Sequence, residues 1–241
     1  MLDQHFMIDR NILVRIVGIA ELNKDDVVLE IGGGKGALTE YLAKISKHVY
    51  VIEKDKALFD FLEGRFANFN HISFCLGNAL EVDFPKYNKC VSNLPYTLCE
   101  ALLWKFSRED FESLVFVVPK KFTGRLTGIV ESRLKLLIDA FYELDIFDDV
   151  PPEAFDPQPK IMSSIIRLKP KKGNLFLREF FMQYDKKTKN ALREILMKSG
   201  MTKKEAIKQV SISIPLRIQE KNIVNLSLEE IKEVVRGFIG E

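Results

Sequence analysis

Cysteine is scarce in this chain, with only Cys75, Cys90 and Cys99 among 241 residues. None of the three falls in a Cys-x-x-Cys pair or at ligand spacing from a histidine, so nothing points to a structural zinc or a dithiol redox centre. Cys75 and Cys90 stand in apolar, strand-like runs and are expected as buried thiols. The odd count, without a signal-type leader, predicts a reducing compartment, and the protein is expected in the cytoplasm. Histidine is equally sparse; His48 and His71 sit at expected strand starts and read as capping or surface residues, and no metal site is indicated. No apolar run approaches the ~20 residues that a membrane-spanning helix needs. Internal repeats and low-complexity tracts are also missing.

Hydrophobic residues make up 46% of the chain and charged residues 29%, the balance of a water-soluble protein with a sizeable core. The net charge of +2 conceals an asymmetry. Residues 160–208 carry 14 Lys/Arg against 4 Asp/Glu, a surplus of +10 that leaves −8 for the rest. A basic segment of this kind suits a polyanion, a solvated lysine-rich helix face being the plainer alternative.

Strand-like and helix-like segments alternate along the first two thirds. "DDVVLEIGG" (25–33) is a β-branched run ending in glycines, and "ALTEYLAKISK" (37–47) has the spacing of an amphipathic helix. "HVYVIEKD", "HISFCLGNAL", "KCVSNLPY" and "SLVFVVPKKF" read as strands, with helices "KALFDFLEGRFA" and "LCEALLWKFS" among them. Two more strand-like runs, "YELDIFDDV" and "KIMSSIIRLKP", flank a proline-rich link. This alternation predicts a doubly wound, mostly parallel sheet. Beyond Pro170 the pattern is helical, with "LREFFMQYDKKTKNALREILMKSG" as one long segment, and Ser227 opens a Ser-x-x-Glu capping box. The expected domains are residues 1–172, α/β, and 173–241, all-helical.

Ligands in open α/β sheets bind beyond the carboxyl ends of the strands, where four turns of this sequence fall. The first, "LEIGGGKGALT", places Gly32, Gly34 and Gly36 at a tight strand-to-helix turn. Alone it suits a dinucleotide as well as an adenosyl cofactor. In the second, Glu53 ends the next strand 21 residues after Gly32, where a carboxylate can accept hydrogen bonds from ribose hydroxyls. Glu30, two residues before Gly32, completes E-x-G-x-G-x-G, the pattern typical of class I methyltransferases that use S-adenosylmethionine. In the third, "GNAL", Asn78 is placed to bond an adenine edge with Ala79 and Leu80 as its apolar bed. The fourth, "NLPY" (Asn93, Leu94, Pro95, Tyr96), matches the signature of enzymes that methylate exocyclic amines of bases or amides. The Asn93 amide oxygen and the Leu94 carbonyl can accept both hydrogens of an NH2, Pro95 fixes the backbone, and Tyr96 offers a stacking face. No general base is evident.

These motifs, in this order, resemble the ribosomal RNA adenine dimethyltransferase family nearly end to end. "DQHFMID" is similar to the family's opening motif, which implies that Gln4, His5 and Met7 contact the cofactor; "VIEKD" carries Glu53 and Lys54 in family order. "VPPEAFDPQPKIMSSIIRLKP" is similar to the proline-rich segment before the last strand, and the resemblance implies that Phe155 stacks on a flipped adenine opposite Tyr96. "FFMQYDKKTKNALREIL" resembles the start of the family's RNA-facing helical domain, with Lys186, Lys187, Lys189 and Arg193 as expected phosphate contacts. The implied fold is a Rossmann-like methyltransferase with a mostly parallel seven-stranded sheet and a small C-terminal helical domain. The implied activity is S-adenosylmethionine-dependent N6 methylation, in the family dimethylation near the 3′ end of small-subunit ribosomal RNA, with the small-subunit precursor as partner and the enzyme a monomer. Three departures stand out: Asp3 where the family has glycine, Asn78 where aspartate is usual, and the shortened "VPKKFTGRLTG" (118–128). They leave open a different RNA adenine, or a ribosome-assembly factor of the same fold without turnover.

Overall fold

The computed structural model describes residues 4–129, 132–171 and 174–239. Nine strands occur among them. β1 (Phe6–Met7) and β8 (Phe155–Asp156) form a two-stranded antiparallel sheet with Met7 opposite Phe155. The other seven, β2 (Val27–Ile31), β3 (His48–Glu53), β4 (Ile72–Leu76), β5 (Lys89–Asn93), β6 (Ser113–Pro119), β7 (Tyr142–Val150) and β9 (Ser163–Pro170), form one sheet in the order β4-β3-β2-β5-β6-β9-β7. The ladders from β4 through β6 are parallel, and β9 returns antiparallel to β6.

The central parallel strands β2, β5 and β6 are buried on both faces, which explains their apolar runs. All seven residues of β6 are buried, and they alternate between two cores. Val115 and Val117 join the cluster under α1 (Arg10–Ile19), α2 (Ala37–Ala43) and α3 (Lys56–Arg65). Phe116, between them, points to the opposite face and meets Phe106 of α4 (Cys99–Phe106) at 5.5 Å between ring centroids. The shortened stretch after β6 forms α5 (Lys120–Thr127), closed by Gly128 at φ 86°, a left-handed conformation that glycine adopts without a side-chain penalty. Cys75 departs from expectation: it is exposed on β4, an edge strand with one solvated face, whereas Cys90 and Cys99 are buried.

Chain order and strand order part company at β2. The chain runs outward from β2 to β3 and β4, then returns to lay β5 on the other side of β2. The β2–β5 ladder ends at the pair Leu29 and Cys90, although both strands continue, to Ile31 and Asn93. The two carboxyl ends therefore diverge and open a crevice at the topological switch point.

Two compact units divide the chain: Met1–Ile129 with Glu143–Pro170, and Val130–Tyr142 with Lys171–Glu241. Sequence spacing had placed the whole of 130–142 in the α/β domain. In the structure, α6 (Arg133–Phe141) packs on α7 (Leu175–Phe181), and Arg178 lies over the Phe141 ring at 5.2 Å while donating to the Lys171 carbonyl. Arg133 donates to the Val224 carbonyl, tying α6 to the chain between α10 (Leu216–Gln219) and α11 (Leu228–Ile239). The helical stretch expected over 177–200 is broken into α7 and α8 (Thr188–Lys198), because Thr188 N–H and Oγ1 both donate to Lys221 O instead of continuing a helix. A further helix, α9 (Lys203–Ser213), follows. At Ser227 the capping box forms, with Glu230 N–H on Ser227 Oγ and Ser227 N–H on the Glu230 carboxylate.

Candidate functional site

A cavity of about 220 Å³ occupies the crevice beyond β2, β3, β4 and β5 in the α/β unit. Its floor is the glycine turn. Gly32, Gly34 and Gly36 all take positive φ (78°, 55° and 80°), which a side chain would strain. Gly34 has a second constraint: a Cβ there would lie 2.9 Å from the Phe6 ring, so β1 lies directly over the turn. The carboxylate of Glu53 organises this floor. Its Oε2 accepts from Gly34 N–H at 3.0 Å, and its Oε1 accepts from Asp55 N–H at 2.9 Å. Each oxygen keeps a further lone pair for a ligand.

Glu30 lies deeper, 2% exposed, and accepts a hydrogen bond of 2.6 Å from Thr39 Oγ1. Burial pushes its carboxyl up to about 8, against the lowering effect of the Thr39 bond and with a further rise from the neighbouring charge of Glu53. At neutral pH without ligand it is therefore mostly protonated.

The fourth turn faces them. Asn93 ends β5, and its amide NH2 donates to the His5 carbonyl at 3.0 Å. That bond fixes the amide orientation and turns Oδ1 the other way. Oδ1 is buried and has no hydrogen-bond partner. A buried acceptor left unmade costs about 1–3 kcal/mol. Leu94 N–H donates to Val117 O at 3.2 Å, which anchors the turn to β6, and Pro95 O receives Leu98 N–H at 2.9 Å as the chain enters α4. Tyr96 is held by a 2.5 Å hydrogen bond between its hydroxyl and Ser163 Oγ, and its ring lies 5.9 Å from that of His5. His5 is itself tied through Nδ1 to the Pro157 carbonyl at 2.7 Å.

The structure thus brings Gln4, His5, Met7, Glu30, Gly32, Gly34, Glu53, Lys54, Asn78, Ala79, Asn93, Leu94, Pro95 and Tyr96 to the walls of one cavity. Asn78 and Ala79 close the end below β4, where Asn78 Oδ1 accepts from Leu80 N–H at 3.1 Å. Phe155 is the exception. Its ring was expected opposite Tyr96; instead it is 1% exposed, within the apolar core beside Met7, Val150 and Ala154, and is not on the cavity wall. Strand pairing explains the difference, because the Met7–Phe155 register carries both side chains into that core. Sequence reasoning missed Phe6, Thr39 and Ser163. Phe6 stands between two residues already singled out, whereas Ser163 lies 67 positions from Tyr96 and carries no local signal.

The expected phosphate contacts lie in the second unit, and there the lysines are paired. Lys186 reaches Glu194 at 2.7 Å, and Lys187 and Lys189 share Glu220, whose carboxyl their hydrogen bonds pull down to about 2. Arg193 is half-buried, with its Nε unpartnered. Among the described residues, no group of three or more His, Cys, Asp or Glu could hold a metal ion, and no helix is long and apolar enough to cross a membrane.

Comparison with known proteins agrees with this geometry. The chain is 34% identical over 246 residues to the probable ribosomal RNA small subunit methyltransferase A of Methanococcoides burtonii, covering 96% of this chain and 90% of that one. Against the protein of the same description from Methanosarcina barkeri it is 37% identical over 251 residues, covering 98% and 86%. The crystal structure of a dimethyladenosine transferase from Plasmodium falciparum superposes with a TM-score of 0.69 at 26% identity, covering 97% of each chain. That of the 23S rRNA methyltransferase ErmE gives 0.65 at 21% identity over 96% and 98%, a likeness of fold. Residues 1–234 match the family model described as ribosomal RNA adenine dimethylase, and this chain belongs to that family.

Proposed function

We propose that this protein methylates the exocyclic N6 amine of adenosine in ribosomal RNA, with S-adenosylmethionine as methyl donor and small-subunit RNA as substrate. The observation that carries the reading is the orphaned, buried Oδ1 of Asn93, aimed by the His5 carbonyl, in the same cavity as the glycine turn and Glu53. An adenine amine has two hydrogens to place, and this wall offers the acceptors for them.

The residues present fit the donor. Glu53 would take the ribose hydroxyls on its remaining lone pairs, the glycine turn would allow the methionine end to approach the backbone, and Asn78 with Ala79 would hold the adenine. Glu30 supplies a buried acid that gains from a cation beside it, because a positive neighbour favours its ionised form. When bound, S-adenosylmethionine supplies an electrophilic methyl group on a sulfonium sulfur.

The chain's own residues then do the orienting. Asn93 Oδ1 and the Leu94 carbonyl accept the two N–H groups of the target amine, which holds the nitrogen lone pair out of conjugation with the ring. Both oxygens also face the positive charge that builds on nitrogen, and they cost no reorganisation because the turn is pinned to β6 and to the His5 carbonyl. Tyr96, locked by Ser163, stacks on the base, worth on the order of 1–3 kcal/mol. The target must leave its stack to enter the cavity, as in other base-modifying enzymes. The helical unit supplies the phosphate contacts through Lys186, Lys187, Lys189 and Arg193.

The test is transfer of labelled methyl from S-adenosylmethionine to undermethylated small-subunit RNA, followed by digestion and detection of N6-methylated adenosine. Asn93→Ala should cut kcat roughly 10²–10³-fold, the usual cost of one transition-state acceptor or donor. Binding of both ligands without transfer by the wild-type protein would instead identify a non-catalytic assembly factor.

A further inference from the structure

Lys105 lies outside every motif of the sequence, yet its ammonium is among the most fully engaged groups of the α/β unit. It extends from α4, the helix that emerges from the Asn93–Tyr96 turn, towards the loop after β4. Nζ donates to the Ala79 carbonyl at 2.9 Å and to the Val82 carbonyl, and it sits 3.9 Å from the centroid of the Phe84 ring. Two carbonyls and a π-face use the three donor directions of an ammonium.

The turn so held is otherwise closed on itself. The Asn78 carbonyl accepts from Glu81 N–H at 2.8 Å and from Val82 N–H at 3.0 Å. The Asn78 side chain is fixed at both ends: Oδ1 accepts from Leu80 N–H at 3.1 Å, and Nδ2 donates to Glu81 Oε1 at 2.7 Å. Leu80 N–H and the Ala79 carbonyl belong to one peptide plane. Lys105 holds the oxygen edge of that plane, and Asn78 is read out by its nitrogen edge. The ammonium therefore holds the peptide whose N–H, together with the Glu81 carboxylate, fixes the Asn78 amide.

We propose that Lys105 is the positioning residue for the nucleobase end of the cofactor site, fixing which face of the Asn78 amide meets the adenine. The proposal rests on the reading of this cavity as the S-adenosylmethionine site. An amide whose oxygen points to the ligand accepts from the adenine amine; one free to rotate also presents NH2, which suits a carbonyl at the same ring position. In this chain, where asparagine can present either group, the orientation has to be imposed; Glu81 takes the NH2 end, and Lys105 holds in place the peptide that takes the oxygen end. Burial lowers the Lys105 ammonium below the ordinary lysine range, opposed by Glu109 and Asp83, which fits a cation whose value lies in its carbonyl contacts.

The experiment compares S-adenosylhomocysteine with S-inosylhomocysteine, which carries oxygen in place of the adenine amine, by titration calorimetry on the wild-type protein and on Lys105→Met. The wild type should prefer the adenosyl compound. In the variant its affinity should fall about tenfold, since two charge-assisted hydrogen bonds are lost, and the preference ratio should shrink towards one. The kcat at saturating cofactor should change less than about twofold, as expected when ground and transition states lose the same interaction. Thermal melting establishes that the variant is folded; if it is not, Lys105→Gln, which keeps a neutral NH2 with its two N–H donors, should give an intermediate ratio. A preference ratio equal to that of the wild type in the folded variant overturns the assignment, because loss of stability alone would not alter base discrimination. A wild-type protein that binds neither thioether defeats the cofactor reading, and the assignment with it.

Discussion

Glu30 offers a pH experiment whose sign and size follow from its surroundings. A carboxyl raised from an ordinary value near 4.5 to about 8 by burial is protonated in the folded, ligand-free protein over a range where the unfolded chain has lost its proton. Between those values the folded state binds more protons, so the group's contribution to stability falls as pH rises. The stabilising form is fully present below 4.5, and the penalty is complete above 8. One pKa unit corresponds to about 1.4 kcal/mol, which makes the loss between pH 5 and pH 7.5 roughly 3 kcal/mol. For a chain of this size that is about 6–12 °C in melting temperature. Glu30→Gln keeps the acceptor for Thr39 and removes the titration. The assay is thermal melting of wild type and variant across pH 5 to 8.5 without ligand. The other shifted groups, such as His48, whose pKa burial lowers, are common to both proteins and cancel in the difference. The gap should widen in favour of the variant as pH rises. Parallel curves would refute the reasoning, since they would mean that the buried carboxyl titrates as it does in the unfolded chain.

Other outcomes follow from the same contacts. Gly34→Ala puts a methyl 2.9 Å from the Phe6 ring at φ 55°, and should cost about 1–2 kcal/mol in a melt together with a clear loss of S-adenosylhomocysteine affinity by calorimetry. Tyr96→Phe removes the hydroxyl bonded to Ser163 and should retain most of kcat/KM, whereas Tyr96→Ala loses the stacking face, worth about 1–3 kcal/mol or some 5–150-fold in steady-state rates. Replacing Lys186, Lys187 and Lys189 by glutamine should weaken RNA binding and flatten its salt dependence by about one unit of slope per lost phosphate contact, without changing cofactor affinity, in filter-binding assays at several salt concentrations. Glu220→Gln should do the opposite, because it releases the two lysines that now share that carboxylate.

The cavity was legible from local pattern to an unusual degree. Its walls come from four short turns, and each turn encodes its own geometry within a few residues: glycines where φ is positive, an acid at the end of β3, and Asn-Leu-Pro-Tyr where β5 stops. Such features are set by backbone sterics and by strand ends, which are properties of sequence neighbours. The order of the motifs likewise implied the alternating elements and the doubly wound sheet, because apolar runs of strand length separated by amphipathic helices have few other ways to bury both faces.

Tertiary structure alone decided everything that depends on partners far apart in the chain. Pairing of β1 with β8 took Phe155 into the core, 148 positions from Met7, and no local signal distinguishes a buried phenylalanine from a stacking one. Segment 130–142 joined the helical unit because α6 found α7. The lysines read as free phosphate contacts met Glu194 and Glu220, and Lys105 met carbonyls 23 and 26 residues away. The orphaned oxygen of Asn93 belongs to the same class: the residue was visible in the sequence, but its unmet demand for a donor exists only because a carbonyl 88 positions earlier holds the other end of the amide. Hydrogen bonds and ion pairs act over a few ångströms in space without regard to sequence separation, so the chain specifies them only through the completed fold.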